Sequence, residues 1–155
     1  MTDNETQNAV MIAAIKWRHR EHWHLAFELR TGTGYKVDAN SFLDAFAMHE
    51  FPSKGLARVT YEIKVSRSDF LRELKKPRKR RIGLKFSNKF WFITPPGVAK
   101  PEEIPAECGL LEVQPGGCES IIVVDAPQRD SCPPTWLFVS AIFRRSESIL
   151  GGHIS

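Results

Sequence analysis

The segment Tyr61-Glu62-Ile63-Lys64-Val65 sets a carboxylate and an ammonium two positions apart in a β-prone run, and a further carboxylate, Asp44, lies eighteen positions upstream of Glu62. Side chains alternate along a strand, so Ala57, Val59, Tyr61, Ile63 and Val65 are expected on one face and Arg58, Thr60, Glu62, Lys64 and Ser66 on the other. Glu62 and Lys64 are then neighbours on a rigid element. An acid and a base held in this way suit a site that binds a hard cation and orients water. Taken alone, the E-x-K spacing more often marks an ordinary charge pair on a solvent-facing strand.

The elements that must position these groups follow from periodicity. Residues 1–6 are polar and expected to fray, and from about Asn8 to Arg20 apolar residues recur three to four apart, which predicts a first helix. Leu25, Phe27 and Leu29 alternate with Ala26, Glu28 and Arg30 as a strand, and Thr31-Gly32-Thr33-Gly34 supplies a hairpin-like turn. A second strand fits Ser41 to Met48, with Phe42, Asp44, Phe46 and Met48 on one face. Phe51 to Gly55 is a loop, and Leu56 to Val65 returns as a third strand. If this meander is antiparallel, Asp44 comes beside Glu62 despite their separation in sequence.

Ser66 and Asp69 have the spacing of a helix cap with an acid in the first turn, so a second helix is expected from Arg67, bending or stopping near Pro77. Phe90 to Thr94 reads as a fourth strand, Gly109 to Val113 and Glu119 to Asp125 as two more. A last helix follows Pro133-Pro134 and ends at Gly151-Gly152. The order is mixed α/β within one domain over 1–155, its core at about 8–113.

At 155 residues and 42% hydrophobic content the chain is long enough for one ordinary core. Its net charge of +4 is less informative than its distribution. Lys75, Lys76, Arg78, Lys79, Arg80, Arg81 and Lys85 gather in one stretch, a pattern able to neutralise several phosphates or, more plainly, to form a solvated helix end. Arg67 at the helix start reaches either a phosphate or a salt-bridge partner. The apolar runs are far too short to cross a bilayer. Three cysteines without a C-x-x-C pair and without a secretory signal point to a reducing, cytoplasmic compartment.

Together, Asp44, Glu62 and Lys64 in the pattern D-x17-E-x-K resemble the PD-(D/E)xK nuclease superfamily, whose core is a restriction-endonuclease-like αβββαβ unit, here followed by a C-terminal helix. The longer run from Tyr61 through Val65-Ser66-Arg67-Ser68-Asp69 to Leu74 is similar to the signature of the MmcB-type DNA repair proteins. The resemblance covers roughly Phe27 to Val113. It departs from the superfamily pattern in one place, since Leu43 rather than proline precedes Asp44. The resemblance implies that Asp44, Glu62 and the Ile63 carbonyl hold Mg²⁺, with Mn²⁺ as a substitute, and that Lys64 orients water or stabilises charge on a phosphate. It implies that Glu28 is an additional acid of the site. The expected activity is hydrolysis of phosphodiester bonds in DNA, during repair or phage or bacterial DNA processing, and many small nucleases of this fold act as homodimers. The alternative is a catalytically silent member that binds nucleic acid or an acidic protein partner.

Other residues invite plainer readings. His19 and His22 are three apart, but lack the second ligand pair of a zinc site and read as surface histidines. Trp91, between Phe90 and Phe92, reads as core rather than as a platform for a base. The glycines after Thr31 lack the Lys-Ser/Thr ending of a phosphate-binding loop.

Overall fold

A computed structural model describes residues 2–31 and 42–147. Helix α1 spans Asp3–Arg18, and strands β1 (Trp23–Arg30), β2 (Phe42–His49) and β3 (Arg58–Ile63) follow. Helix α2 (Arg67–Leu74), a 3-10 turn at Pro77–Arg80 and helix α3 (Arg81–Phe86) lead into β4 (Lys89–Thr94), β5 (Gly109–Val113) and β6 (Ser120–Val124). Helix α4 (Trp136–Arg145) and the short strand β7 (Ser146–Glu147) complete the described chain. The strands form one sheet in the order β6-β5-β4-β3-β2-β1-β7. β1, β2 and β3 pair antiparallel, whereas β4 lies parallel to β3 and β5 parallel to β4. The fold is mixed α/β. Among the described residues no helix is long and apolar enough to cross a membrane.

Both faces of the sheet are covered, which explains why β4 and β5 are largely apolar on both sides and why Thr60 and Glu62 of the alternating β3 are buried. Met11, Ala14 and Ile15 of α1 pack with Val59, Tyr61, Trp91 and Ile93 on one face. On the other, Phe70 of α2 packs with Phe90 and Phe92, while Phe86 of α3 and Phe138 of α4 pack with Ala26, Leu29, Leu43 and Phe46. The alternation expected for β3 and β4 therefore holds: Tyr61 and Trp91 face α1, and Glu62 and Phe92 face α2 and its neighbours.

Several boundaries differ from expectation for identifiable reasons. The residues expected to fray begin α1, because the Thr2 hydroxyl accepts the Glu5 amide and the Glu5 carboxylate accepts the Thr2 amide in a capping box. β3 starts at Arg58 and stops at Ile63, so Lys64 lies just past the strand; its amide still donates to the Ile93 carbonyl at 3.2 Å. In β1 and β2 the simple alternation breaks: Ala26 and Leu29 share one cluster, as do Leu43 and Phe46. The break centres on Glu28, whose φ of +55° turns the chain over between Phe27 and Leu29. α4 ends at Arg145, not at Gly151, because the chain leaves it to pair Ser146 and Glu147 with β1. The turn expected after Thr31 and the stop at Gly151-Gly152 lie outside the described residues.

The Ser66 cap is as expected, its hydroxyl accepting the Asp69 amide at 3.2 Å. Beyond α2, the path of the chain depends on a close approach at Gly83. A Cβ there would sit 2.7 Å from Cε2 of Phe90 and 2.8 Å from Cγ2 of Thr60, so α3 lies against β3 and β4 only because this residue has no side chain. Gly83→Ala is therefore expected to lower stability in urea unfolding by about 1–3 kcal/mol, the usual range for overpacking a filled core. An unchanged midpoint would show that α3 does not dock this closely.

Candidate functional site

The site is built where β2 and β3 part. Their last ladder pair is Ala45 with Tyr61, and one step further the antiparallel register sets Asp44 opposite Glu62. The side chain of Asp44 continues the ladder in place of backbone. Its Oδ2 accepts the Ile63 amide at 2.8 Å. The carboxylate predicted to come across from the neighbouring strand thus does so, and the contact that fixes it is an amide of the E-x-K segment itself.

Glu62 is 6% exposed, buried between β2, β4 and α2. Burial raises its pKa well above the ordinary glutamate range, and the adjacent Asp44 raises it further by charge and by hydrogen bonding. Lys64 opposes this shift and Glu73 adds to it. The Lys64 ammonium lies 3.8 Å from Glu62 Oε2 and 3.2 Å from Glu73 Oε1. Burial pushes Lys64 down, yet Glu62, Glu73 and Asp44 together outweigh it, and its pKa stands above the ordinary lysine value. Lys64 is accordingly a charged donor in this arrangement. The alternative use of a depressed lysine as a proton acceptor is not what these neighbours favour.

Glu73 and Arg80 were not singled out by the sequence. Glu73 is 3% exposed and Arg80 4% exposed. The Arg80 Nη1 donates to the Glu73 carbonyl at 3.1 Å and lies 3.6 Å from Oε2 of the same residue. A chain of charges, Glu62 to Lys64 to Glu73 to Arg80, therefore runs from the sheet into the 3-10 turn. Removing one member of such a buried pair strands the other, at a typical cost of about 3–5 kcal/mol. The signal for Glu73 was available: it sits three residues after Phe70 and next to Leu74, on the apolar side of α2, where a carboxylate needs a partner. Arg80 is a correction to the basic stretch, since it faces inward and is not a surface contact for phosphate.

The rest of that stretch, Lys75, Lys76, Arg78, Lys79, Arg81 and Lys85, is exposed. Lys76 and Lys79 line a small cleft of about 70 Å³ together with Lys64 and Glu73. Arg67 is placed elsewhere. Its guanidinium makes a two-pronged ion pair with Glu103, at 2.9 and 2.7 Å, and also donates to the Val98 carbonyl. The same pair pulls the Glu103 carboxyl down to about 2, chiefly through the hydrogen bonds from Arg67. Arg67 thus ties α2 to the loop after β4, and its donors are taken.

Glu28 is not gathered with the other acids around Lys64. It is exposed on β1 and bonded to Arg145 Nη2 at 3.0 Å. It does line a cleft of about 720 Å³ with Asp44, Arg30, Phe42, Ala141, Arg144 and Arg145. Asp44 therefore opens to one cleft and Lys64 to another, with Glu62 buried between them. Arg144 and Arg145, at the end of α4, are functional candidates that sequence reading passed over because that helix was expected to continue beyond them.

The histidines are also redistributed. α1 ends at Arg18, so His19 and His22 do not share a helical face; His19 is 4% exposed, and His22 and His24 bond Glu50 at 2.9 and 3.1 Å. Among the described residues no three His, Cys, Asp or Glu side chains form a group placed to hold a metal ion. The donors that stand together are the two carboxylates of Asp44 and Glu62. Their fit to a divalent cation rests on chemistry visible here: a buried acid driven toward its neutral form by a second acid is relieved by positive charge at that place. Mg²⁺ commonly takes one or two carboxylates and keeps several waters, so a pair is an adequate set.

The raised pKa of Glu62 has a defined consequence for stability. The folded state holds the proton more tightly than the unfolded chain, so the stabilisation is present below the ordinary glutamate range, near pH 4, and drains away as pH rises through the folded value. In metal-free buffer, Glu62→Gln should gain on wild type as pH rises from 4 to 8, by about 1.4 kcal/mol for every unit separating the two pKa values. Urea unfolding of both proteins across that range measures the difference. An offset independent of pH would mean that Glu62 titrates normally.

No family model matches the chain, and no curated protein matches it. Among solved structures it is similar to the SPO1766 protein of unknown function from Silicibacter pomeroyi, with a TM-score of 0.59 and 20% identity over 93% of this chain and 84% of that chain. At that identity the likeness speaks to the fold alone, and the fold it supports is mixed α/β.

Proposed function

We propose that the chain is a metal-dependent nuclease acting on DNA, with Asp44 and Glu62 as the cation-binding carboxylates and Lys64 as the cationic group that faces the phosphate. The observation that carries this reading is the buried Glu62 set against Asp44 with the Lys64 ammonium 3.8 Å away. The element order supports it as well. A helix, three antiparallel strands, α2 followed by the shorter α3, and a strand parallel to the third are consistent with the αβββαβ core that the sequence resembles, with α3 as an addition to it.

Asp44 and Glu62 would hold a divalent cation such as Mg²⁺ or Mn²⁺, which would supply charge neutralisation for a phosphate and activation of water. The chain's own residues then divide the remaining work. Asp44 is oriented by the Ile63 amide, so its free oxygen is aimed rather than swinging. Lys64, kept protonated by Glu62 and Glu73, donates to a phosphate oxygen as negative charge builds there. Glu73 in turn is held by Arg80, which shares its charge with Lys64. The exposed cations Lys75, Lys76, Arg78, Lys79, Arg81 and Lys85 grip the backbone and carry no sequence preference. Arg144 and Arg145 add positive charge on the cleft that reaches Asp44.

A second reading is favoured by the leanness of the donor set. Two carboxylates, with Lys64 already drawn to Glu73, also describe a nuclease-like fold that binds nucleic acid without cutting it.

The test is hydrolysis of single-stranded, duplex, nicked and branched DNA with Mg²⁺ or Mn²⁺. Wild type is expected to cut at least one of them, and Asp44→Asn and Lys64→Ala to lose at least about a hundredfold, the scale seen when one group stabilising a transition state is removed. Asp44→Asn is chosen because its amide oxygen still accepts the Ile63 amide. Absence of cutting on every substrate, or variants as active as wild type, contradicts the enzyme reading.

A further inference from the structure

A cavity of about 570 Å³ lies on the α1 side of the sheet, where the end of α1 meets the starts of β3 and β4. Its volume falls within the roughly 300–1,000 Å³ of small-molecule sites. None of Asp44, Glu62 and Lys64 lines it. On β3 the cavity takes Val59 and Tyr61, which pack on the α1 side, whereas Glu62 faces α2, so the two sites open on opposite faces of the sheet. Whatever occupies this cavity does so separately from the acidic cluster.

Its walls have two characters. Three of the four tryptophans in the chain, Trp17, Trp23 and Trp91, line it. Cations lie among them: Arg20 is 4.2 Å from the centre of the Trp17 ring and Arg18 is 5.5 Å from that of Trp91. Arg58, whose guanidinium bonds Ser131 and the Leu56 carbonyl, and Lys89, 3.7 Å from Asp125, also line the cavity, and Glu119 is the one acid among its lining residues. Flat aromatic faces with interleaved guanidinium groups are the materials from which unpaired bases and their phosphates are recognised, the rings by stacking and the cations by charge. Gln128 on the same wall offers a donor and an acceptor of the kind that read the edge of a base, while Asn88 is held by the Arg58 amide and the Arg129 carbonyl and the Ser120 hydroxyl accepts from Arg18.

A further observation points to a ligand. His19, 4% exposed, packs its ring 4.2 Å from Trp23 and shares a hydrogen bond of 2.6 Å with the Tyr61 hydroxyl through Nε2. Its Nδ1 is buried without a hydrogen-bond partner. Burial, aided by Arg18 and His49, lowers its pKa to about 3, so the ring is neutral. His19 is among the residues lining the cavity, and a buried polar atom left without a partner costs about 1–3 kcal/mol.

We propose that this cavity binds a single nucleotide, with the base against Trp17 and Trp23 and the phosphate on Arg18 and Arg20. The nucleotide is either free or an unpaired residue of a strand, since both present the same base and phosphate. The proposal stands whether or not the acidic cluster cuts DNA.

Tryptophan fluorescence tests it directly. In the Glu62→Gln, Trp136→Phe protein, kept in EDTA, every remaining tryptophan lines the cavity. Titrations use deoxyadenosine monophosphate, a 5′-phosphorylated single-stranded oligonucleotide, deoxyadenosine and inorganic phosphate. A saturable quench by the monophosphate or the oligonucleotide is expected, with deoxyadenosine and phosphate at least tenfold weaker. Response to the monophosphate identifies a free nucleotide as sufficient, and response to the oligonucleotide alone identifies an unpaired residue. Trp17→Ala with Arg20→Ala, both exposed positions at the mouth, should weaken binding at least tenfold while the circular dichroism melt is kept; Arg20→Ala alone serves if the pair does not fold. No saturable quench up to millimolar concentration, equal response to phosphate alone, or full binding by the folded variant overturns the proposal.

Discussion

Glu62 is an acid placed inside a sheet that is covered on both sides, next to a second acid. Burial and the Asp44 charge both act against its ionised form. Such a residue weakens the metal-free fold above the ordinary glutamate range, and the surrounding structure can be understood as what makes the placement tolerable. Asp44 is tethered by the Ile63 amide, Lys64 is drawn over both Glu62 and Glu73, and Arg80 closes the series from the 3-10 turn. Each partner is supplied by a different element. The site depends on β2, β3, α2 and the turn after it being packed together at once.

That dependence explains the route of the chain between α2 and β4. The turn at Pro77–Arg80 must bring Arg80 inward while leaving its neighbours in solvent, and α3 must come close enough to β3 that Gly83 has no room for a side chain. The inward arginine stabilises the charge series, and the outward cations form the exposed basic surface. One short segment thus carries a packing role and an electrostatic role, divided by which way each side chain turns. On the opposite face, the aromatic cavity is lined by Val59 and Tyr61 of the same strand. Tyr61 serves His19 there while Glu62 serves Asp44.

What was legible in the sequence follows from how local each signal is. The nearness of Glu62 and Lys64 and the Ser66 cap depend on a few adjacent residues, and both stand in the structure, although Lys64 lies just past the end of β3. The meeting of Asp44 with Glu62 was also legible, because antiparallel pairing of a short meander leaves little choice of register. Glu28 was not, since its left-handed φ breaks the alternation that predicted its face. Arg80 was hidden by its surroundings: in a run of seven cations no sequence pattern marks the one that turns inward. Glu73 carried a signal, an acid on the apolar side of a helix, that was outweighed by the more familiar cap acid Asp69. The end of α4 was set by a contact distant in sequence, the pairing of Glu147 with Leu25.

The central claim is that Asp44 and Glu62 form one cation site, and calorimetric titration with Mn²⁺ tests it most directly. Wild type is predicted to bind one ion through both carboxylates, and more tightly as pH rises, because the cation competes with the proton that the raised pKa of Glu62 favours. Glu62→Gln is predicted to abolish that binding while remaining folded. Mn²⁺ binding of equal strength in Glu62→Gln, or no binding to wild type at millimolar Mn²⁺, would contradict the account.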